Sequence, residues 1–382
     1  MCSSDLGLDL VRVNGHIARP ELYDAADELG MLVWQDFPLQ WNYARTVRRQ
    51  AVRQAREAVD MLGHHPSIAV WCAHNDPAPA AERRIAGPSI VRNLLQQQVP
   101  SWNRTILDQW VKRAFESADE TRPTVAHSGI SDSHLYFGWY HGDERDLAGF
   151  AATMPRQVRF VGEFGTQSVP NTDHFLEPDR WPSLDWDHLA AHHGLDLAVI
   201  NERFPVAGYP SFSAWRDATQ RYQADVLRHH IETLRRLKYR PTGGFCFLAL
   251  ADPSPAIGWS ILDHERHPKA AWSAVVEACR PVIVVADRPP AEVSVGTPLA
   301  LDVHVVSDLR QPLEGVRCTA HLRWPGGGHQ WQWQGDVGAD TCVRVGTCQM
   351  VVPEAPGELW LDLTLEHDHL VATNRYTCTI TA

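Results

Sequence analysis

From residue 7 to about residue 279, short apolar runs alternate with segments whose apolar positions recur every three or four residues. That alternation is the signature of a parallel α/β fold. Residues 10–13, 31–37, 68–72, 124–127, 134–140, 158–162 and 244–250 read as strands. Residues 20–29, 45–62, 104–118, 212–237 and 268–278 read as helices. The first helix has Pro20 in its opening turn and Gly30 just past its end. The second carries Val47, Ala51, Ala55, Ala58 and Leu62 along one face. Seven strands of the βα type are one short of a (β/α)8 TIM barrel, and the first strand is expected to precede residue 7. Residues 165–211 form a long excursion rich in Pro, Trp and His, suited to the wall of an active site. Beyond Arg280-Pro281 the texture changes to seven short strands separated by Pro, Gly and Asp turns, the pattern of an immunoglobulin-like sandwich. The expected organisation is a leader at 1–6, a partial barrel at 7–280 and a sandwich at 281–382.

Composition narrows the function. A net charge of −11 argues against nucleic acid or an anionic membrane surface as partner. No apolar run approaches the roughly 18–20 residues that span a bilayer. Fifteen Trp, eleven Phe and eight Tyr are too much apolar surface for a disordered chain. The eight cysteines contain no C-x-x-C pair, which removes zinc-ribbon and thioredoxin motifs. Cys72 and Cys246 read as buried thiols, and Cys318, Cys342, Cys348 and Cys378 leave one disulfide open, so the compartment stays undetermined. Residues 1–6 lack the basic and apolar regions of a signal peptide and read as a non-native leader.

The candidate chemistry sits at strand ends, where a barrel enzyme carries its catalytic groups. Asp76 follows the strand Ile68–Cys72 through His74-Asn75, and Glu163 ends the strand that begins near Val158. Two carboxyl groups facing across a barrel mouth perform glycoside hydrolysis: one protonates the leaving oxygen, the other attacks the anomeric carbon or activates water. The plainer reading of such residues is helix capping or pairing with Arg.

The surrounding residues sharpen this choice. Val11-Arg12-Val13, the run from Leu22 to Phe37 and His65-Pro66-Ser67-Ile68-Ala69-Val70-Trp71-Cys72 closely resemble the catalytic barrel of family 2 glycoside hydrolases. Trp34-Gln35-Asp36-Phe37 and the run Arg159 to Ser168 resemble its β-mannosidase branch. Asp132-Ser133-His134, His141-Gly142, Asp252 to Pro255, Trp259-Ser260 and Lys269 agree with it. The resemblance implies Glu163 as nucleophile, Asn75 as a contact to the sugar 2-hydroxyl and Arg12 as a support of the nucleophile side. Asp76 stands where the family has a glutamate acid/base. An Asp carboxyl sits roughly 1–1.5 Å further back than that of Glu, so Asp76 is a slow acid, a correct acid on a shifted loop, or a relic. Leu248, Ala249 and Ala251 stand where the family offers a Trp platform and amides, and Asn14 where the branch often has Trp. Phe247, Trp139, Tyr136 or Tyr140 are the candidate replacement platforms.

Among the remaining residues, the twenty histidines show no H-E-x-x-H or similar ligand spacing, so no metal and no organic cofactor are expected. His141 matches a family position near the pocket and joins Tyr136 and Tyr140 as a substrate contact. Trp331 and Trp333 share one strand face, as core packing or as a sugar-binding ledge. The Arg-rich run 45–56 reads as a solvated helix face. The expectation is a retaining β-glycosidase acting on a β-mannoside-like oligosaccharide or glycoside, with further N-terminal domains of the same polypeptide as partners. The alternative is a catalytically impaired carbohydrate-binding or scaffold protein on the same barrel. An incomplete barrel also predicts poor solubility for residues 1–382 alone.

Overall fold

The computed structural model describes residues 3–77, 100–128 and 133–382. Asp132 and the Pro/Ala-rich stretch 78–99 lie outside the described residues. Two compact units emerge: Met1–His230 with Pro241–Val276, and Ile231–Arg240 with Glu277–Ala382.

In the first unit, β1 (Leu10–Val13), β2 (Leu32–Asp36), β3 (Ile68–Cys72) and β4 (Thr124–Val125) form one parallel sheet in chain order. A second parallel sheet holds β5 (Ser133–His134), β6 (Phe160–Glu163) and β7 (Gly244–Phe245). The helix Pro20–Leu29 starts with proline and stops at Gly30, whose φ of 69° is the left-handed cap that glycine takes without penalty. Arg48–Leu62 buries Ala51, Ala55, Ala58, Val59 and Leu62. Its small residues let it lie close to Val33, Trp71 and Phe115 in one apolar cluster. The arginines Arg49, Arg53 and Arg56 are exposed, as the run predicts.

Three predicted strands are much shorter than their runs, and of 124–127 only Thr124–Val125 pairs. After His134 the chain leaves the ladder, because Tyr136 and Trp139 turn into an aromatic cluster with Trp259 instead of pairing across a strand. The run from Gly244 pairs regularly over two residues, then keeps single bonds from Cys246 N–H to Val161 O and from Leu248 N–H to Phe164 O. The excursion 165–211 folds around short helices Trp186–His192 and Leu197–Arg203. Asp185 and Asp196 cap them by accepting from His188 and Val199 backbone N–H. Val169, Leu189, Ile200, Trp215 and Ile257 pack beneath them.

The second unit is a β-sandwich. One sheet orders β13 (Thr341–Val351), β10 (Pro298–Ser307) and β8 (Val282–Ala286), all antiparallel. The other orders β12 (Gly327–Val337), β11 (Leu313–Trp324), β14 (Gly357–His367), β15 (Leu370–Thr381) and β9 (Glu292–Ser294), the last running parallel to β15. Every second residue points inward, as in Leu299, Leu301, Val303 and Val305 against Leu359, Leu361, Leu363 and Leu365. Cys318 and Cys348 are buried thiols rather than a disulfide, and burial pushes each up to about 12. Trp331 and Trp333 pack on the margin of this core, with Trp333 lying over Gly346, so the packing reading of that pair holds.

Candidate active site

The carboxyl ends of β1, β2, β3, β5 and β6 supply one polar network. Arg12 of β1 is almost fully buried and pairs with Asp36 at the end of β2, Nη2 lying 3.0 Å from Oδ2. Asp36 also accepts from Trp34 Nε1 at 2.9 Å. The same guanidinium donates to Asn75 Oδ1 at 3.0 Å and to Gly162 O at 3.3 Å. A buried cation is tolerated only when paired and hydrogen-bonded, and here its partners are the strand ends themselves. Arg12 therefore braces the backbone just before Glu163 and fixes Asn75.

Because guanidinium can only donate, Asn75 Oδ1 is fixed as an acceptor, and Ser128 Oγ donates to it as well at 2.9 Å. Asn75 Nδ2 then donates to Asn14 Oδ1 at 2.9 Å, and Asn14 Nδ2 donates to Glu163 Oε1 at 2.6 Å. Tyr136 OH donates to the other carboxylate oxygen, Oε2, at 2.6 Å. Both oxygens of Glu163 thus accept short bonds, an environment suited to an ionised carboxylate. Gly165 makes the turn behind it: a Cβ there would lie 2.7 Å from Leu248 O, closer than side chains approach.

Asp76 lies opposite. Its backbone N–H donates to Ser128 Oγ at 2.7 Å, and its φ is 51°. Asp adopts this left-handed conformation more readily than Glu, since its short side chain can bond locally. The loop geometry and the identity of the residue therefore agree. Asp76 keeps 20% of its side chain exposed against 7% for Glu163, so water reaches it more easily.

His134 joins the two carboxylates. Its Nδ1 is 3.4 Å from Glu163 Oε2 and 3.8 Å from Asp76 Oδ1, and its Nε2 is 3.3 Å from Arg12 Nη1. Since Arg12 offers only donors, Nε2 acts as acceptor and we assign the ring proton to Nδ1, facing the carboxylates. Asp36, Ser128 and His134 were given no role by sequence reasoning. Asp36 and His134 stand inside quoted motifs, whereas nothing along the chain marks Ser128.

Of the residues singled out from sequence, Arg12, Asn14, Asn75, Asp76, Tyr136 and Glu163 meet in this network. Tyr140 is one step away, its ring 5.4 Å from that of Tyr136 and 5.8 Å from that of Trp259. His141 is buried in the same turn, edge-on to Phe137. Nearby, burial pushes His74 down to about 4, and its Nε2 donates to Trp41 O.

A cavity of about 320 Å3 is lined by Leu248, Ala249, Asp252, Ile257 and Trp259, among others. Trp259 connects it to the network, its ring 5.2 Å from that of Tyr136. Trp259, rather than a residue of the strand before it, is the aromatic surface here. Below the cavity Lys269 is fully buried, with Nζ 3.5 Å from Asp252 Oδ2. Burial lowers its pKa while Asp252 works in the opposite direction.

No family model matches the chain. Its sequence is 29% identical over 297 residues to beta-mannosidase B of Neosartorya fischeri, the match covering 69% of this chain and 34% of that protein. Beta-mannosidase B of Thermothelomyces thermophilus gives 29% over 300 residues, with the same shares. The chain spans about a third of the length of the curated relatives it matches. Among solved structures, a β-D-mannosidase from Dictyoglomus thermophilum superposes with a TM-score of 0.74 at 20% identity, covering 99% of this chain and 47% of that one. An exo-chitosanase from Amycolatopsis orientalis follows with 0.67 at 16% identity, covering 99% and 46%. The likeness in sequence, joined to a shared fold, supports a β-mannosidase-like family of glycoside hydrolases for this chain.

Proposed function

We propose that the chain is the catalytic portion of a retaining β-glycosidase acting on β-mannoside-like substrates. In this reading residues 7–280 are a (β/α)8 barrel and 281–382 an immunoglobulin-like sandwich. Glu163 attacks the anomeric carbon while Asp76 protonates the departing glycosidic oxygen. Asp76, now a carboxylate, then takes a proton from water as that water attacks the glycosyl-enzyme, freeing the sugar and restoring Glu163. Asn75 meets the 2-hydroxyl, and Tyr136, Tyr140, His141 and Asn14 line the sugar site. The observation that carries the reading is the clasp on Glu163, with Asn14 and Tyr136 each donating at 2.6 Å to a different carboxylate oxygen and Asp76 across His134.

The test is pre-steady-state hydrolysis of 2,4-dinitrophenyl β-mannoside, whose leaving group needs little acid assistance. The expected result is a burst of dinitrophenolate that vanishes in Glu163→Ala, with turnover falling on the order of 10^4-fold or more. Folded protein that shows no burst with the mannoside, glucoside or galactoside overturns catalysis in favour of a binding protein on the same fold.

A second substrate reading rests on Asp76. Two solved structures of the exo-chitosanase are complexes with p-nitrophenyl β-D-glucosamine, one of an Asp-to-Ala and one of a Glu-to-Ala variant. An Asp–Glu pair is also what this chain carries. A larger kcat/KM on the β-glucosaminide than on the β-mannoside decides for that reading.

A further inference from the structure

We propose that His174, His264 and Glu265 form a binding site for a divalent transition metal of the zinc class. Their ligand atoms lie within 4.8 Å of one another, although the residues come from segments some ninety positions apart. Ligand atoms around a tetrahedral zinc ion are roughly 3.4 Å apart. Closing the set therefore takes about 1.4 Å at most, within reach of side-chain rotation at His174 and Glu265, which are both exposed.

The two segments are already held together. Asp263, fully buried, accepts from Thr172 N–H at 2.9 Å through Oδ2. Through Oδ1 it accepts from the N–H groups of Glu265 and His267 at 3.0 and 2.9 Å. Asn171 Nδ2 donates to Pro268 O at 2.8 Å, closing the same pair of turns from the other side. Arg266 donates to the carbonyls of Asp252, Asp263 and His264. Pre-organised turns lower the ordering cost that a flexible ligand set incurs on binding.

The individual side chains are also placed for coordination. His264 is largely enclosed, packed edge-on against Phe175 and against His174, and its buried Nδ1 has no hydrogen-bond partner among the described residues. Thr172 Oγ1 lies 3.5 Å from Glu265 Oε2 and 2.9 Å from His267 Nδ1, which restrains the carboxylate. Two imidazoles with one carboxylate suit zinc, nickel, cobalt or copper and exclude the all-oxygen preference of calcium and magnesium. Three protein ligands leave a fourth position to water. Such an ion would clip the excursion 165–211 to the turn after Asp263.

The experiment is titration of the full chain with Co2+, followed by the visible d–d absorption of tetrahedral cobalt, with displacement by Zn2+ and thermal melting as a second readout. The expected result is one saturable equivalent and a zinc-dependent rise in Tm that Mg2+ does not reproduce. Affinity should fall at least about tenfold in Glu265→Gln and be lost in His174→Ala and His264→Ala. Because His264 is enclosed, the two variants at exposed positions decide the matter alone. Folded protein without saturable uptake overturns the assignment. So does uptake that persists in these variants and disappears in His188→Ala/His192→Ala, the pair one helical turn apart with rings at 4.7 Å.

Discussion

The interiors of the β-sandwich and of the α/β unit are built on opposite terms. Between residues 282 and 382 the described buried residues are nearly all aliphatic, with Ser307 and Asn374 as the polar exceptions. In the α/β unit, Asp36, His74, Asn75, Asp108, Glu163, Asp252, Asp263 and Lys269 are all buried. A buried charge without a partner costs several kcal/mol, whereas a buried leucine needs only neighbours that fit. The sandwich core therefore tolerates any good packing, while each buried charge of the first unit demands a particular partner.

The sharpest way to break this contrast is to remove one member from each interior. Arg12→Ala leaves Asp36 charged and dry, with an expected loss of about 3–5 kcal/mol in urea unfolding. Leu361→Ala in the sandwich is expected to lose about 2–5 kcal/mol through its cavity. The difference appears on repair. Leu361→Met should recover to within about 1.5 kcal/mol of the parent. Arg12→Met combined with Asp36→Leu should recover stability and leave hydrolysis abolished. Recovered activity in that double variant would falsify the role given to Arg12.

The two interiors should also fail at opposite ends of the pH scale. His74 is held neutral by burial, down to about 4 from an ordinary 6.5, so the unfolded chain binds its proton first. Its stabilising effect is complete above pH 6.5 and is lost as pH falls toward 4, on the order of 3 kcal/mol. Cys318 and Cys348 are raised from 9.0 to about 12, so the unfolded chain loses those protons first. Their contribution is complete below pH 9 and is lost as pH rises toward 12, on the order of 4 kcal/mol each. Hydrogen exchange resolved by peptide should show acid opening centred on residues around His74 and alkaline opening centred on β11 and β13. His74→Gln and Cys318→Ala should flatten the two limbs separately.

Smaller effects are expected from the clasp on Glu163. Tyr136→Phe and Asn14→Ala each delete one bond to a charged group, worth about 1.5–3 kcal/mol. That corresponds to roughly a tenfold to hundredfold fall in kcat, with melting little changed. An unchanged kcat in both would remove the clasp as a catalytic feature. Asp76→Glu is expected to gain little, because Glu fits the left-handed backbone at that position less well than Asp.

Legibility followed the same division. The sandwich strands announce themselves as short runs between Pro, Gly and Asp turns, and seven of its eight were readable in sequence. The eighth, Glu292–Ser294, is a three-residue edge that gains its identity by pairing with β15. In the α/β unit, Leu10–Val13, Pro20–Leu29 and Ile68–Cys72 match their sequence signals to the residue. The run 134–140 does not, since an apolar stretch looks the same whether it pairs in a ladder or packs aromatic rings. In the candidate site, Glu163, Asp76 and Asn75 were visible as polar residues at strand ends and through family motifs. His134 stood inside a quoted motif but without a role, and nothing along the chain marked Ser128 behind Asn75.

By itself, the sequence determined what depends on local periodicity and chemistry: which segments are helices and strands, where aliphatic alternation replaces the α/β pattern, and which strand ends carry carboxylates. The tertiary structure decided what depends on partners far apart in the chain. Arg12 finds Asp36 and Asn75, Asn14 finds Glu163, and His174 comes beside His264 only after the intervening chain has folded. The reason is one of range. Propensity and hydrophobic period act over a few residues, whereas a hydrogen bond or an ion pair is satisfied by whichever group the fold brings within about 3 Å, and no spacing along the chain encodes that distance.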